Sequence, residues 1–257
     1  MPKVLKQVRA AFSLLNPREV RRRAGRSVRF GLVATGSQGY AEMETFLIPP
    51  RSPEDAQAEL RKLVYRADDP AAPGAVDLVL YEEGLHKPSG AYVFHPRDPG
   101  QLIHEILGEH DRLALALARL YPAFRKPVVE RFIHSIAREN AVFAIATALP
   151  DALPSFAEIP WAFGEFASDT VFLTANQVRM AFLIAAACGK RVGYARQKAE
   201  IAAIAGGAFG WRAIARELAG KIPFGGGLVP KGAMAYAATY AIGKGLERLY
   251  QNGKPGR

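Results

Sequence analysis

Cysteine is almost absent. Of 257 residues only Cys188 carries a thiol, which excludes an internal disulfide and a cysteine-built zinc cage. Such usage fits a reducing compartment. Long apolar runs are missing as well. The longest candidates, Met180 to Gly189 and Gly232 to Gly243, fall short of the roughly 18 uninterrupted apolar residues that a spanning helix needs. They suit a buried helix or a shallow hairpin. The N-terminus is basic but lacks the apolar run and small-residue cleavage site of a secretory signal, so the chain is expected to face the cytoplasm. Catalytic signatures are equally sparse: no G-x-S-x-G elbow and no Cys–His pair at a recognisable spacing. The histidines, at 86, 95, 104, 110 and 134, form no ligand motif, and neither a metal nor a cofactor is expected.

What is present is enough apolar material for a core, 49% of the chain, which argues against wholesale disorder. The net charge of +10 falls in blocks. Residues 1–29 hold nine Lys/Arg against one acid, Glu19; residues 30–167 hold 12 basic and 19 acidic side chains; residues 168–257 hold 13 and four. A mildly acidic middle between two basic ends implies an electrostatic partner, such as anionic lipid. Neither end carries a recognisable nucleic-acid reading motif, so no nucleic acid is expected.

Residues 3–15 (KVLKQVRAAFSLL) set Val4, Leu5, Val8, Ala11, Phe12 and Leu15 at i, i+3 and i+4 spacing, with Lys3, Lys6 and Arg9 on another face. This is a basic amphipathic helix, suited to a membrane interface or a docking partner, or else to packing on its own domain. Arg21, Arg22 and Arg23 follow, with Arg26 and Arg29 close behind. Near anionic lipid each basic residue contributes about 1 kcal/mol.

From Val28 to Ala34 a short apolar run leads into Thr35-Gly36-Ser37-Gln38-Gly39 and then a helical stretch over 40–47, the opening of a βα unit. Residues 54–63 read as helix, and the segments from Ala75 to Tyr81 and from Ala91 to Phe94 read as strands. Helices are predicted over 100–120 and 125–139, and Ala141 to Thr147 as a last strand, narrowly preferred to a continuation of the preceding helix. Alternating strands and helices indicate a parallel sheet. Pro150, Pro154 and Pro160 mark the domain boundary. Beyond it the texture changes to helices rich in Ala and Gly. One starts at the capping box Thr174 to Gln177 and stops at Gly189; a second spans about 194–219; the last runs from about Pro230 to Tyr250.

Gly31 and Gly36 have the G-x-x-x-x-G spacing of a phosphate-binding loop, but Ser37 and Gln38 stand where its lysine and Ser/Thr belong. The lysine neutralises phosphate and the hydroxyl holds magnesium, so backbone amides alone would face a highly charged ligand. The succession that follows resembles a GTPase domain in order. Asp77 lies on VDLVLYEEG, AYVF leads into His95-Pro96-Arg97-Asp98, and AVFAIA leads into Thr147-Ala148-Leu149. Only the final aspartate of the guanine-reading motif is kept. Glu82, Glu83 and Asp98 sit at strand ends, as cleft-lining or simply solvated carboxylates.

The segment LTANQVRMAFLIAAACGKRVG, with IAAIAGGAFGWRAIARELAGKIPFGGGLVPKGAMAYAATYAIGKGLERLY, resembles an uncharacterised bacterial domain. That domain follows Era-like GTPase domains and occurs in YcjF-type inner-membrane proteins. The resemblance covers about residues 170–250 and rests on Arg212, Arg216, Glu217, Pro223, the glycine run, Lys231-Gly232, Tyr236, Tyr240 and Gly243. It implies a helical domain that works with GTPases or membranes, without an established catalytic activity. Read from the residues themselves, Arg212, Arg216 and Glu217 suit an internal network or a partner site, and Tyr236 and Tyr240, four apart, suit a core.

The sequence therefore predicts a basic amphipathic segment over 1–27, a degenerate GTPase-like α/β domain with a parallel sheet over 28–160, and an all-α, small-residue-rich domain over 168–252. The expected role is a non-catalytic adaptor, peripheral to the cytoplasmic face of the inner membrane or cytoplasmic. Its partners would be an anionic membrane surface or a GTPase-family protein, with homo-oligomerisation through the helical domain. The alternatives are a weak nucleotide hydrolase or other enzyme using the α/β cleft, and a soluble oligomeric scaffold.

Overall fold

The β-branched and aromatic residues after Val28 form the centre of a four-stranded sheet. In the computed structural model, which describes residues 16–67, 69, 72–146, 169–207 and 228–252, strand β1 is Phe30–Val33. It lies between β2 (Val64–Arg66) and β3 (Leu78–Glu82), and β4 (Tyr92–Phe94) follows β3. All pairings are parallel, with Phe30 opposite Val64 and Leu78, and Leu80 opposite Tyr92. The order β2-β1-β3-β4 reverses direction at β1, so the crevice at the carboxyl ends of β1 and β3 is the switch point of the sheet. β2 is the strand that sequence patterning missed. Three residues directly after a helix carry too little alternation to be seen.

Helix α1 (Pro17–Ala24) precedes the sheet; α2 (Ser37–Leu47) and α3 (Glu54–Arg61) connect β1 to β2. After β4 come α4 (Pro99–Glu109), a single 3-10 turn (Asp111–Leu113) and α5 (Ala114–Leu120). Then α6 (Pro122–Ala146), α7 (Asp169–Ala187), a helical stretch over 198–207 and α8 (Leu228–Asn252) complete the described elements. The parallel α/β sheet and the helical region are as the sequence predicts. By internal contacts the chain divides into an α/β unit, Arg22–Val128 with Ala187–Gly189, and a helical unit, the described parts of Met1–Arg21, Val129–Ala186 and Lys190–Arg257. The division falls inside α6, whereas the proline-rich stretch around 150–160 lies outside the described residues.

In the α/β unit Phe30, Leu32, Leu80 and Tyr92 are buried from the strands, Met43 and Leu47 from α2, and Tyr121 and Phe124 from the start of α6 and the residue before it. The ring of Phe30 meets Tyr121 edge-on at 4.9 Å, and the Tyr121 hydroxyl donates to the Val28 carbonyl at 2.7 Å, so this buried phenol leaves no unmet donor.

Residues 141–146 are helical, which corrects the predicted last strand. AVFAIA is apolar enough for either state, but the buried positions Val129, Ile133, Ile136, Ala137 and Asn140 set a helical stripe that Phe143 and Ala144 extend. That period decides the matter, at turns of 3.6 residues. A second correction concerns Thr174 and Gln177. Helix α7 starts at Asp169, so the supposed cap lies within it, and Gln177 is buried with its amide donating to Thr239 Oγ1 at 3.3 Å. The stop at Gly189 is as predicted: φ is +71°, and Lys190 N–H closes on the Ala185 carbonyl at 2.8 Å.

Within the helical unit α8 lies close along α6. A Cβ built on Gly232 would fall 2.6 Å from Ile145 Cδ1, and one on Gly243 would fall 2.8 Å from Ile133 Cγ1. Small residues are what permit this approach. Helix α7 is apolar all round from Met180 to Ala187 and is buried on every side there, which accounts for a run too apolar for a surface helix.

Candidate functional site

The loop leaving β1 is where an α/β sheet of this order binds its ligands. Gly36 is the extended N-cap of α2 and has no side chain to cap the helix, so the amides and positive dipole end of α2 are open to an anion. That anion is supplied by the chain itself. One oxygen of Glu82, the last residue of β3, accepts from both Thr35 N–H and Thr35 Oγ1, each at 2.7 Å. The carboxyl then lies against the first turn of α2. A Cβ on Gly39 would be 2.5 Å from Glu82 Oε1 and 2.6 Å from its Cδ, so glycine alone leaves this space. The Thr35 backbone bond first, and its hydroxyl second, hold the Glu82 carboxyl below its ordinary range. The switch-point crevice is bridged by an internal carboxylate.

The other nucleotide-loop positions are scattered. Gly31 is buried inside β1, opposite Val79, where a Cβ would press on Val76 Cγ2 at 3.1 Å; it is a packing glycine and not part of the loop. Ser37 and Gln38 form the exposed first turn of α2, and Gln38 donates to Glu42 at 3.1 Å. Asp77 corrects the sequence reading most plainly. It precedes β3, at the amino edge of the sheet, where its carboxylate accepts Arg29 N–H at 2.9 Å and pairs with Arg26 at 3.3 Å. Parallel pairing puts it at the end of the sheet opposite to Thr35, so it cannot join a ligand there. Asp98 caps α4 by accepting Gly100 N–H at 3.2 Å. His95 Nδ1 lies 3.1 Å from Glu83 Oε1 beside the same carboxyl edge. The third motif's strand is helix, and Thr147 to Leu149 lie outside the described residues.

Two open clefts flank the sheet. One, of about 480 Å³, lies at the amino edge and is lined by Arg26, Asp77, His110 and Arg112 among others. Behind it the buried Tyr92 hydroxyl donates to Glu109 at 2.7 Å and meets His110 Nε2 at 2.8 Å, with burial and then Glu109 pushing the phenol pKa up. The other, of about 430 Å³, runs between α2 and α3, where Arg66 pairs with Glu44 at 2.7 Å. Among the described residues no cluster of His, Cys, Asp and Glu has the geometry to hold a metal ion.

Of the proposed contact residues, Lys3, Lys6, Arg9 and Phe12 lie outside the described residues, as do Arg212, Arg216 and Glu217. Arg21, Arg22 and Arg23 sit on α1, and Arg21 is structural in part, donating to the Val192 carbonyl at 2.7 Å. Lys231, Tyr236 and Tyr240 lie on α8. The two tyrosines are half-exposed, not core. Tyr236 OH and His134 Nδ1 are 2.7 Å apart, and the Tyr240 ring lies 5.2 Å from the imidazole. Sequence spacing gave His134 no partner because the two residues are 102 positions apart.

The fold and the crevice define a parallel-sheet α/β unit in which Glu82 lies against the turn after β1, accompanied by a helical unit. No family model, curated protein or solved structure matches the chain. No described helix is long and apolar enough to cross a membrane.

Proposed function

We propose that this protein is a non-catalytic adaptor with a pseudo-GTPase unit, held peripherally at the cytoplasmic face of the inner membrane and working beside a GTPase-family protein. The observation that carries the reading is the Glu82 carboxyl, from the end of β3, lying against the first turn of α2. A phosphate ligand would meet a carboxylate at the spot where a nucleotide-binding loop presents its amides; Ser37 and Gln38 stand where the loop's lysine and Ser/Thr belong, and the Thr35 hydroxyl is already given to Glu82. The helical unit's resemblance to the YcjF-like domain supports the GTPase and membrane connection, and the charge of 1–29 supports the surface anchor. Calorimetry of the full chain with GTP or ATP and magnesium is the test. No saturable heat at micromolar concentration is expected; a one-site, magnesium-dependent isotherm would return the chain to the nucleotide hydrolases. An oligomeric scaffold is the second reading, favoured by the exposed row Ala233, Ala237, Ala241, Gly245 and Leu249 on α8.

A further inference from the structure

Tyr92 opens β4 and is only 1% exposed, so its hydroxyl depends on protein partners. It has two: Glu109 Oε2 at 2.7 Å and His110 Nε2 at 2.8 Å. A phenol holds one proton and a carboxylate holds none, so the order of protons along this chain follows by counting. Glu109 as a carboxylate can only accept. Burial, and then Glu109 itself, push the Tyr92 pKa up, so the phenol keeps its proton and gives it to Glu109. The phenol oxygen is then an acceptor towards His110, and Nε2 must carry a hydrogen. In the neutral imidazole Nδ1 is left bare. No described residue bonds to it.

We propose that Glu109, acting through Tyr92, fixes His110 as its Nε2–H tautomer and so makes Nδ1 a proton-accepting atom of the amino-edge cleft. Glu109 and His110 both line that cleft, and Tyr92 stands behind it. Glu109 and Tyr92 are positioning residues: carboxylate, phenol and imidazole follow the logic by which a third group orients a base. The group that Nδ1 can bind is therefore a hydrogen-bond donor. The relay is also reversible. Without the Glu109 carboxylate, the buried hydroxyl proton has only His110 Nε2 to go to, and the imidazole must carry its own proton on Nδ1. The free nitrogen changes from acceptor to donor, against the preference of free histidine for Nε2–H. The relay lies at the end of the sheet opposite to Thr35 and does not depend on the pseudo-GTPase reading.

The test is the pattern of proton–nitrogen correlations of the His110 ring in the nitrogen-15-labelled full chain, recorded where the imidazole is neutral. His86 and His104 serve as internal references, and circular dichroism checks that each variant is folded. In the native chain His110 should be in the Nε2–H form, with an Nε2–H signal protected from exchange by the Tyr92 oxygen. Glu109→Ala, a change at an exposed position, should convert His110 to the Nδ1–H form. Tyr92→Phe keeps the ring and removes the hydroxyl, and should lose the protected Nε2–H signal. An Nδ1–H form in the native chain overturns the proton order. A folded Glu109→Ala chain that keeps Nε2–H overturns the relay, since Glu109 then does not set the tautomer. A protected Nε2–H signal that survives in Tyr92→Phe overturns the role of Tyr92.

Discussion

Glu82 lies against the α-carbon of Gly39: a methyl group there would fall 2.5 Å from Glu82 Oε1. Gly39→Ala should push the carboxylate off the turn, since the far end of a flexible side chain is what gives way. Thr35 then loses both hydrogen bonds. A double-mutant cycle reads this. Glu82→Ala should lower the melting temperature of the native chain and leave that of the Gly39→Ala chain unchanged. Equal losses in the two backgrounds would show that Gly39 and Glu82 do not act together.

The same pairing should be visible in pH. The Glu82 carboxyl titrates below its unfolded value, ordinarily about 4.3, because Thr35 hydrogen bonds favour the charged form. Its contribution is therefore present at neutral pH and is lost as pH falls through the depressed folded value. Urea midpoints of the native chain and Glu82→Gln should differ at pH 7 and converge on acidification below about pH 4. A difference that grows on acidification would reverse the sign and reject the pairing.

The α6–α8 packing makes a prediction about size. Gly232→Leu and Gly243→Leu each drive a side chain into Ile145 or Ile133, and overpacking typically costs about 1–3 kcal/mol. Thermal unfolding should shift downward in both. An unchanged melting temperature in either would place that glycine away from the helix contact.

Asn140 is the centre of a buried polar layer. Its amide donates to Thr239 Oγ1 at 2.8 Å, and its oxygen accepts from Asn176 at 2.9 Å. Asn140→Ala leaves the Asn176 amide without its acceptor, at about 1–3 kcal/mol for the unmet group, while Thr239 Oγ1 still accepts from Gln177. The exposed change Ser135→Ala, one turn earlier, should cost less than about 0.5 kcal/mol. Chemical denaturation of the two variants gives the comparison, and similar midpoints would mean water already reaches the layer.

Much of the fold was legible because it is local. Phe30 to Val33, Leu78 to Glu82 and Tyr92 to Phe94 are short apolar runs between turns, and Gly189 ends α7 by its left-handed backbone. Ambiguity arose where one composition serves two states: Ala141 to Thr147 looks like a strand until the stripe from Val129 is followed into it as far as Ala144. The site was legible only in its defects. Ser37 and Gln38 announce the missing phosphate chemistry, but nothing in local spacing pairs Thr35 with Glu82 or moves Asp77 to the far edge of the sheet. Those facts belong to strand register, which the sequence does not spell out.

The turn after β1 is filled by the chain's own carboxylate. Titrating the isotope-labelled full chain with magnesium and GTP, while following the amide resonances of Thr35, Gly36 and Ser37, tests it most directly. No saturable shift at these amides is expected in the native chain up to millimolar nucleotide. Saturable, magnesium-dependent shifts at Thr35 and Ser37 at micromolar nucleotide would contradict it.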